Sequence, residues 1–221
     1  MADAFAALAK NGVAYRAGSI PPALTNNKAT TANVLAELAA AKKKVQPGDL
    51  FVFFFAGHGA RDGGEFFLVT HDTNDANPAA LRGSALKGSD VRATLADFDC
   101  QVLMVLDACH GGQIAGMPAG DDEAARRLAA ADARVAVMCA ALGHQTSKEE
   151  NGAGVFTAAL AKAVADPKKV DAFYDRKTGE LNVYHLHAWV YQEVVRKPDR
   201  EQTPLLKMPL GHPAFTVNQL P

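Results

Sequence analysis

The chain has 221 residues, with 23 basic and 24 acidic side chains for a net charge of −1. That balance excludes a polyanion partner held by bulk charge, and no basic stripe stands out. Its three cysteines, Cys100, Cys109 and Cys139, are odd in number and have no close pairs. They exclude a disulfide framework and point to a reducing compartment. The length suits one domain with a substantial core. The opening "MADAFAALAKNG" lacks the basic start and long apolar stretch of a secretory leader. The longest apolar run, "LFVFFFAG", falls far short of the roughly 20 residues of a membrane helix. The expectation is a soluble, cytoplasmic protein with no membrane and no nucleic-acid partner.

Elements alternate along the chain. "DAFAALAKNG" reads as a helix ending at Asn11-Gly12, and "VAYRAGSI" as a strand. "TTANVLAELAAAKKK" has apolar residues at Val34, Leu35 and Leu38, a Thr near its start and lysines in its last turn, which predict a helix. "DLFVFFFAG" is a nearly continuous apolar run, as expected of a strand covered on both faces. "EFFLVTHD" follows as a strand after the turn Arg61-Asp62-Gly63-Gly64, a helix starts near Ser89, and "QVLMVLD" is the next buried strand. "DDEAARRLAAAD" reads as helix, "ARVAVMCAA" as strand, and "GVFTAALAKAVAD" as helix. "LNVYHLHAWVYQEVVRK" is a last amphipathic helix, with Leu186, Trp189 and Val190 as core contacts, before a Pro-rich tail. Segments 73–88 and 110–133 read as long polar connections. Strand and helix alternating through short links predict an α/β sandwich on a mostly parallel sheet. Sites in such sheets form at the C-terminal ends of the strands.

Two strand ends carry reactive groups. "FVFFFAGHGARDGG" ends on Gly57-His58-Gly59, and "VLMVLDACHGG" on Asp107-Ala108-Cys109. If the two apolar strands are neighbours, His58 and Cys109 share one rim. A cysteine nucleophile needs a base to favour its thiolate, and an imidazole within reach serves. Acyl transfer needs backbone N–H groups aimed at the developing oxyanion, and glycine lets a substrate come close. The N–H groups of Gly59 and Cys109 are the natural donors. A lone cysteine is usually a small buried hydrophobe, and Cys100 and Cys139 are read so. His185 and His187 lie only two apart on a helix and do not share a face, so they are read as non-ligands. His71-Asp72 falls at a strand end without an assigned role.

His58 lies 51 residues before Cys109, the spacing of the caspase signature. With "FFFAGHG", "DACHGG", "GHQTSKEENGAGVFTAAL" and "EQTPLL", the chain resembles the caspase-like cysteine peptidases, and within them the metacaspase and bacterial orthocaspase branch, over roughly residues 3 to 210. The resemblance implies a three-layer α/β sandwich and a single peptidase domain over 1–221. It makes His58 the general base and Cys109 the nucleophile. Asp107 takes the position of the acid lining the pocket for the residue before the scissile bond, where true caspases have Gln and cleave after Asp. A carboxylate there pairs with Arg or Lys and repels Asp, so the expected substrate is a polypeptide cut after a basic residue. A carboxylate capping nearby backbone N–H groups is the competing reading of Asp107.

The chain also departs from the family pattern. Metacaspases often carry Ser two residues before the His, where this chain has Ala56. The family's first strand is missing, so the domain is expected to be N-terminally incomplete, with another chain or segment supplying that strand. "MADAFAALAKNG" then aligns with the family's first helix, and Asp3 becomes a second acidic pocket residue or, equally, a helix N-cap. His110 is read as local structure. Arg126-Arg127 offers a site for self-cleavage or, more simply, solvated charges on a helix. Asp121, Asp122 and Glu123 offer oxygens for Ca²⁺, which some metacaspases require, but three consecutive acids rarely converge on one ion and an acidic first helical turn accounts for them. No metal or cofactor is otherwise expected. Two alternatives remain open: a catalytically silent caspase-like interaction module, and a legumain-like or gingipain-like peptidase of different specificity.

Overall fold

A computed structural model describes residues 1–11, 23–62, 65–109, 135–141, 149–150, 153–196, 202–209 and 211–219. Its helices are α1 (Ala2–Asn11), α2 (Thr31–Lys42), α3 (Pro78–Ser84), α4 (Gly88–Ala96), α5 (Val155–Ala165) and α6 (Val183–Val195). The strands are β1 (Leu50–Asp62), β2 (Glu65–Val69), β3 (Leu86–Lys87), β4 (Gln101–Cys109), β5 (Val135–Cys139), β6 (Glu149–Glu150), β7 (Ala153–Gly154), β8 (Glu180–Asn182), β9 (Leu205–Lys207) and β10 (Thr216–Gln219). Segments 12–22, 110–134 and 142–148 lie outside the described residues, and with them the expected strand "VAYRAGSI" and helix "DDEAARRLAAAD".

The central sheet has the order β3-β2-β1-β4-β5-β9. β1, β4 and β5 pair in parallel, while β2 runs against both β1 and β3, and β9 against β5. Four of the six strands therefore point one way, the mostly parallel sheet that the alternation of elements predicts. β1 and β4 run side by side from Leu50 against Gln101 to His58 against Cys109. On its other side β1 pairs with β2 only from His58 to Asp62. Among the described residues no strand lies along Leu50–Gly57 there.

Side chains alternate between the two faces of a strand, and both faces are covered. On one face Leu103 and Val105 of β4 and Met138 of β5 meet Phe156 and Leu160 of α5 and Leu186, Trp189 and Val190 of α6, with Ala4 of α1 in the same cluster. On the other face Val102, Met104 and Leu106 meet Leu38 of α2 and Val91 and Leu95 of α4. This is why β1 and β4 read as unbroken apolar runs.

Helix starts follow local chemistry. Asn33 N donates to Thr30 Oγ1 (3.2 Å) at the start of α2, Ala80 N to Asn77 Oδ1 (3.0 Å) at α3, and His185 N to Asn182 Oδ1 (2.9 Å) at α6. Each is an N-cap bond that satisfies a backbone donor left open by the helix. Asp72, at the strand end without an assigned role, accepts from Thr31 N and from Thr70 Oγ1, both at 2.9 Å. The bond from Thr31 N holds its carboxyl below the usual range.

Two expectations are corrected. Segment 73–88 is more than a polar connection: Asn77-Pro78 caps and opens α3, and Leu86–Lys87 adds a strand to the sheet edge. An Arg82–Asp62 ion pair ties α3 to the β1–β2 hairpin. The Pro-rich tail also contributes structure. Leu205–Lys207 forms the opposite edge of the sheet against Val137–Cys139, and Thr216–Gln219 pairs with Glu180–Asn182.

Leu160 has no exposed surface and sits between sheet and helices. Leu160→Ala is expected to lower stability by about 2–5 kcal/mol, read as a lower urea midpoint at unchanged m. His187 of α6 donates from Nε2 to the Pro204 carbonyl at 3.1 Å, since a carbonyl only accepts. Burial pushes the pKa of its ring down. The unfolded chain therefore takes up this proton at a higher pH than the folded one. Stability from the neutral ring is present above the ordinary histidine pKa of about 6.5 and falls as pH drops below it. In urea titrations at stepped pH, His187→Gln should flatten the decline below that point.

Candidate active site

The site is fixed by register. β1 and β4 put Ala56 beside Asp107, Gly57 beside Ala108 and His58 beside Cys109. Neighbouring strands lie about 4.8 Å apart, and in-register residues share a face. Counting by alternation from Val52 and Phe54 on β1, and from Leu103 and Val105 on β4, positions 56, 58, 107 and 109 all lie on the face covered by α1, α5 and α6. The expectation that the two apolar strands are neighbours thus holds. His58 is exposed at the C-terminal end of the parallel pairing, but it is not the strand end expected from sequence, because β1 runs on to Asp62 to pair with β2.

Asp107 is nearly buried at 7% exposure. Its Oδ2 accepts a hydrogen bond from Thr157 Oγ1. Thr157 is the third residue of α5, and Gly154 precedes that helix. A Cβ added at Gly154 would run into Asp107 Oδ2. The backbone φ of Gly154 is an ordinary −59°, so glycine is required here for space rather than for conformation. The carboxylate thus rests against the N-terminal turn of α5, where the helix dipole favours negative charge. Its partner at this helix start is a side-chain hydroxyl, and Asp107 lies two positions before Cys109 on β4.

Gly59 is buried, and a Cβ there would lie 2.7 Å from Phe66 Cζ and 3.5 Å from Ala108 Cβ. The β2 phenyl ring occupies the space, a packing reason for glycine that the strand-end pattern alone does not reveal. Asp3 is exposed in the first turn of α1, which packs on α5. An acid there suits the helix start. His110, Asp121, Asp122, Glu123, Arg126 and Arg127 lie outside the described residues. Among the described residues no three His, Cys, Asp or Glu side chains converge as metal ligands.

Sequence reasoning missed two residues beside the site. Thr157 lies within "GVFTAAL", but its 50-residue separation from Asp107 hides the contact. Gln202, 1% exposed in "EQTPLL", donates from Nε2 to the Ala140 carbonyl at 3.0 Å, while Ala140 N donates to Leu106 O at 2.9 Å. Gln202 thereby pins the chain leaving β5 beside the end of β4. Its signal is a polar side chain next to a strand of the core, visible only once β9 is known.

These features place the molecule in a class: an α/β sandwich of caspase-like fold, with histidine and cysteine paired where two adjoining strands end their parallel run. The fold is similar to that in a crystal structure of protein GSU0716 from Geobacter sulfurreducens, with TM-score 0.55 and 20% identity over 87% of this chain and 75% of that one. No curated protein matches the chain. The caspase-domain family model matches residues 9–214, and the chain belongs to that family of cysteine peptidases. No helix among the described residues is long and apolar enough to cross a membrane.

Two further thiols lie in the core. Cys139 is 8% exposed, and burial pushes its thiol pKa up to about 12. Cys100 is also buried and shifted up, chiefly by desolvation. At pH 8 both stay protonated and poorly nucleophilic. Iodoacetamide is expected to leave both unmodified in the native protein and to label them in 8 M urea, as read by peptide mass mapping.

Proposed function

We propose that the chain is a cysteine endopeptidase of the metacaspase and orthocaspase type, cutting polypeptides after Arg or Lys with His58 and Cys109 as its catalytic pair. The observation that carries this reading is the register of β1 and β4, in which His58 and Cys109 are the last partners of the parallel pairing. His58 takes the proton of the Cys109 thiol, and the thiolate attacks the carbonyl carbon before the scissile bond. A C–S bond forms, and the oxyanion is held by the N–H groups of Gly59 and Cys109. The C–N bond breaks as the His58 imidazolium gives its proton to the leaving amine. Water, losing a proton to His58, then attacks the thioester; the C–S bond breaks, and the departing thiolate takes that proton back as the acid product leaves. This chemistry draws only on side chains and backbone and calls for no metal or cofactor.

The preference for a basic residue rests on Asp107, two positions before the nucleophile on the same face. A nearly buried carboxylate pairs well with a guanidinium or ammonium and rejects an acidic side chain. Asp3, in the layer of α1 and α5, is proposed as an auxiliary acid. The alternative of an interaction module is favoured by one observation, the unpaired side of β1 along Leu50–Gly57 among the described residues. A further strand from another segment or chain would pair there.

Matched fluorogenic peptides ending in Arg, Lys, Asn or Asp test the reading. Wild-type protein is expected to turn over the Arg and Lys peptides, with Cys109→Ala and His58→Ala each lowering kcat/KM by at least about 10³-fold. Asp107→Ala is expected to remove the preference for basic residues. Turnover surviving Cys109→Ala would overturn the catalytic pair, and an Asn preference indifferent to Asp107 would favour a legumain-like enzyme.

A further inference from the structure

We infer that Thr157 is a specificity-positioning residue: its hydroxyl orients the Asp107 carboxylate that recognises the basic side chain of the substrate. The inference rests on the proposed role of Asp107 and extends it to a residue on a different element. Three observations converge on this pairing. Thr157 Oγ1 donates to Asp107 Oδ2, so one carboxylate oxygen is fixed by a group on α5. Gly154, at the start of the same helix, has no side chain where a Cβ would collide with that oxygen. Asp107 is nearly buried, and Thr157 is partly so.

A carboxylate at the end of a strand turns about its last bond through a broad, roughly two-fold profile. Holding one oxygen restricts that rotation and thereby biases the direction of the other. Recognition of a guanidinium depends on that direction, because its paired N–H donors form a planar fork that matches a carboxylate only in the right orientation. Thr suits the task, since its branched Cβ restricts the hydroxyl to few rotamers. Within the third residue of a helix, that hydroxyl points back toward the turn that meets Asp107. Valine would keep the shape and lose the donor, whereas serine would keep the donor and lose the methyl group.

Binding rather than turnover reads the effect directly. In a Cys109→Ala background, anisotropy of a labelled peptide ending in Arg is compared with its citrulline counterpart, which keeps the shape and lacks the charge. The parent is expected to prefer the Arg peptide. Thr157→Val should reduce that preference by at least about tenfold, the lower end for a hydrogen bond to a charged group, while Thr157→Ser restores most of it. Cooperative thermal melts of each variant confirm folding, and Thr157→Ala replaces valine if that variant does not melt cooperatively. In the active protein, the valine variant should raise KM for the Arg peptide with kcat little changed. That split is one that a general loss of stability would not give. A parent that prefers Arg and a valine variant that prefers it equally would overturn the role of Thr157 alone. A parent with no preference for Arg over citrulline would overturn the role of Asp107 and this inference with it.

Discussion

The parallel pairing of β1 with β4 is the constraint from which the rest of the molecule follows. Its register puts His58 beside Cys109 and Ala56 beside Asp107, and it also decides which apolar side chains face which helices. Because the strands alternate, Phe53 and Phe55 go to the layer of α2 and α4, while Val52 and Phe54 go to that of α1, α5 and α6. The polar residues at the strand ends inherit the face that the apolar residues before them have already chosen. The proposed catalytic residues are therefore placed by the core rather than by a loop of their own.

Around that pairing the remaining elements act as supports. The N-terminal turn of α5 meets Asp107, the phenyl ring of Phe66 on β2 closes on Gly59, and Gln202 ahead of β9 holds the chain that leaves β5. Each comes from a different part of the sequence, and each touches a strand end within a few residues of the proposed catalytic pair. A site built on strand ends and braced from several elements is more rigid than one built on free loops.

The sequence made some of this visible and hid the rest for identifiable reasons. β4 and β5 stand out because strands buried on both faces need apolar residues at every position, which "QVLMVLD" and "ARVAVMCAA" supply; β1 stands out by the apolar run "DLFVFFFAG", although of Leu50–Phe55 only Phe53 is buried. Of the helices, α2 stands out by the spacing of Val34, Leu35 and Leu38 with its Thr start and lysine end, and α6 by its amphipathic pattern. β9 escapes notice because three residues, Leu205–Lys207, pair along one edge, too short a stretch for any pattern to register. α3 is lost in the polar composition of its segment, although Asn77-Pro78 carries its start signal. His58 and Cys109 are legible because glycines and apolar runs frame them. The bond between Thr157 and Asp107 is not, since it depends on how far α5 is brought over the sheet, which no local pattern encodes. Gly59 is legible as a glycine that matters, but its packing against Phe66 appears only once β2 folds back on β1.

The register has a further consequence for how the site can fail. A slip of β1 by one residue would send His58 to the opposite face and turn every phenylalanine of the strand toward the wrong helices. A slip by two would keep the faces but carry the imidazole about 6.6 Å along the strand, out of reach of position 109. The first error destroys the core together with the site, and the second leaves the apolar side chains one place out of step with the helices packed on them. No intermediate misalignment keeps the fold and weakens the chemistry a little. Correct assembly of the sheet and assembly of the proposed catalytic pair are thus a single event, and a folded molecule is by the same token one whose histidine stands beside its cysteine.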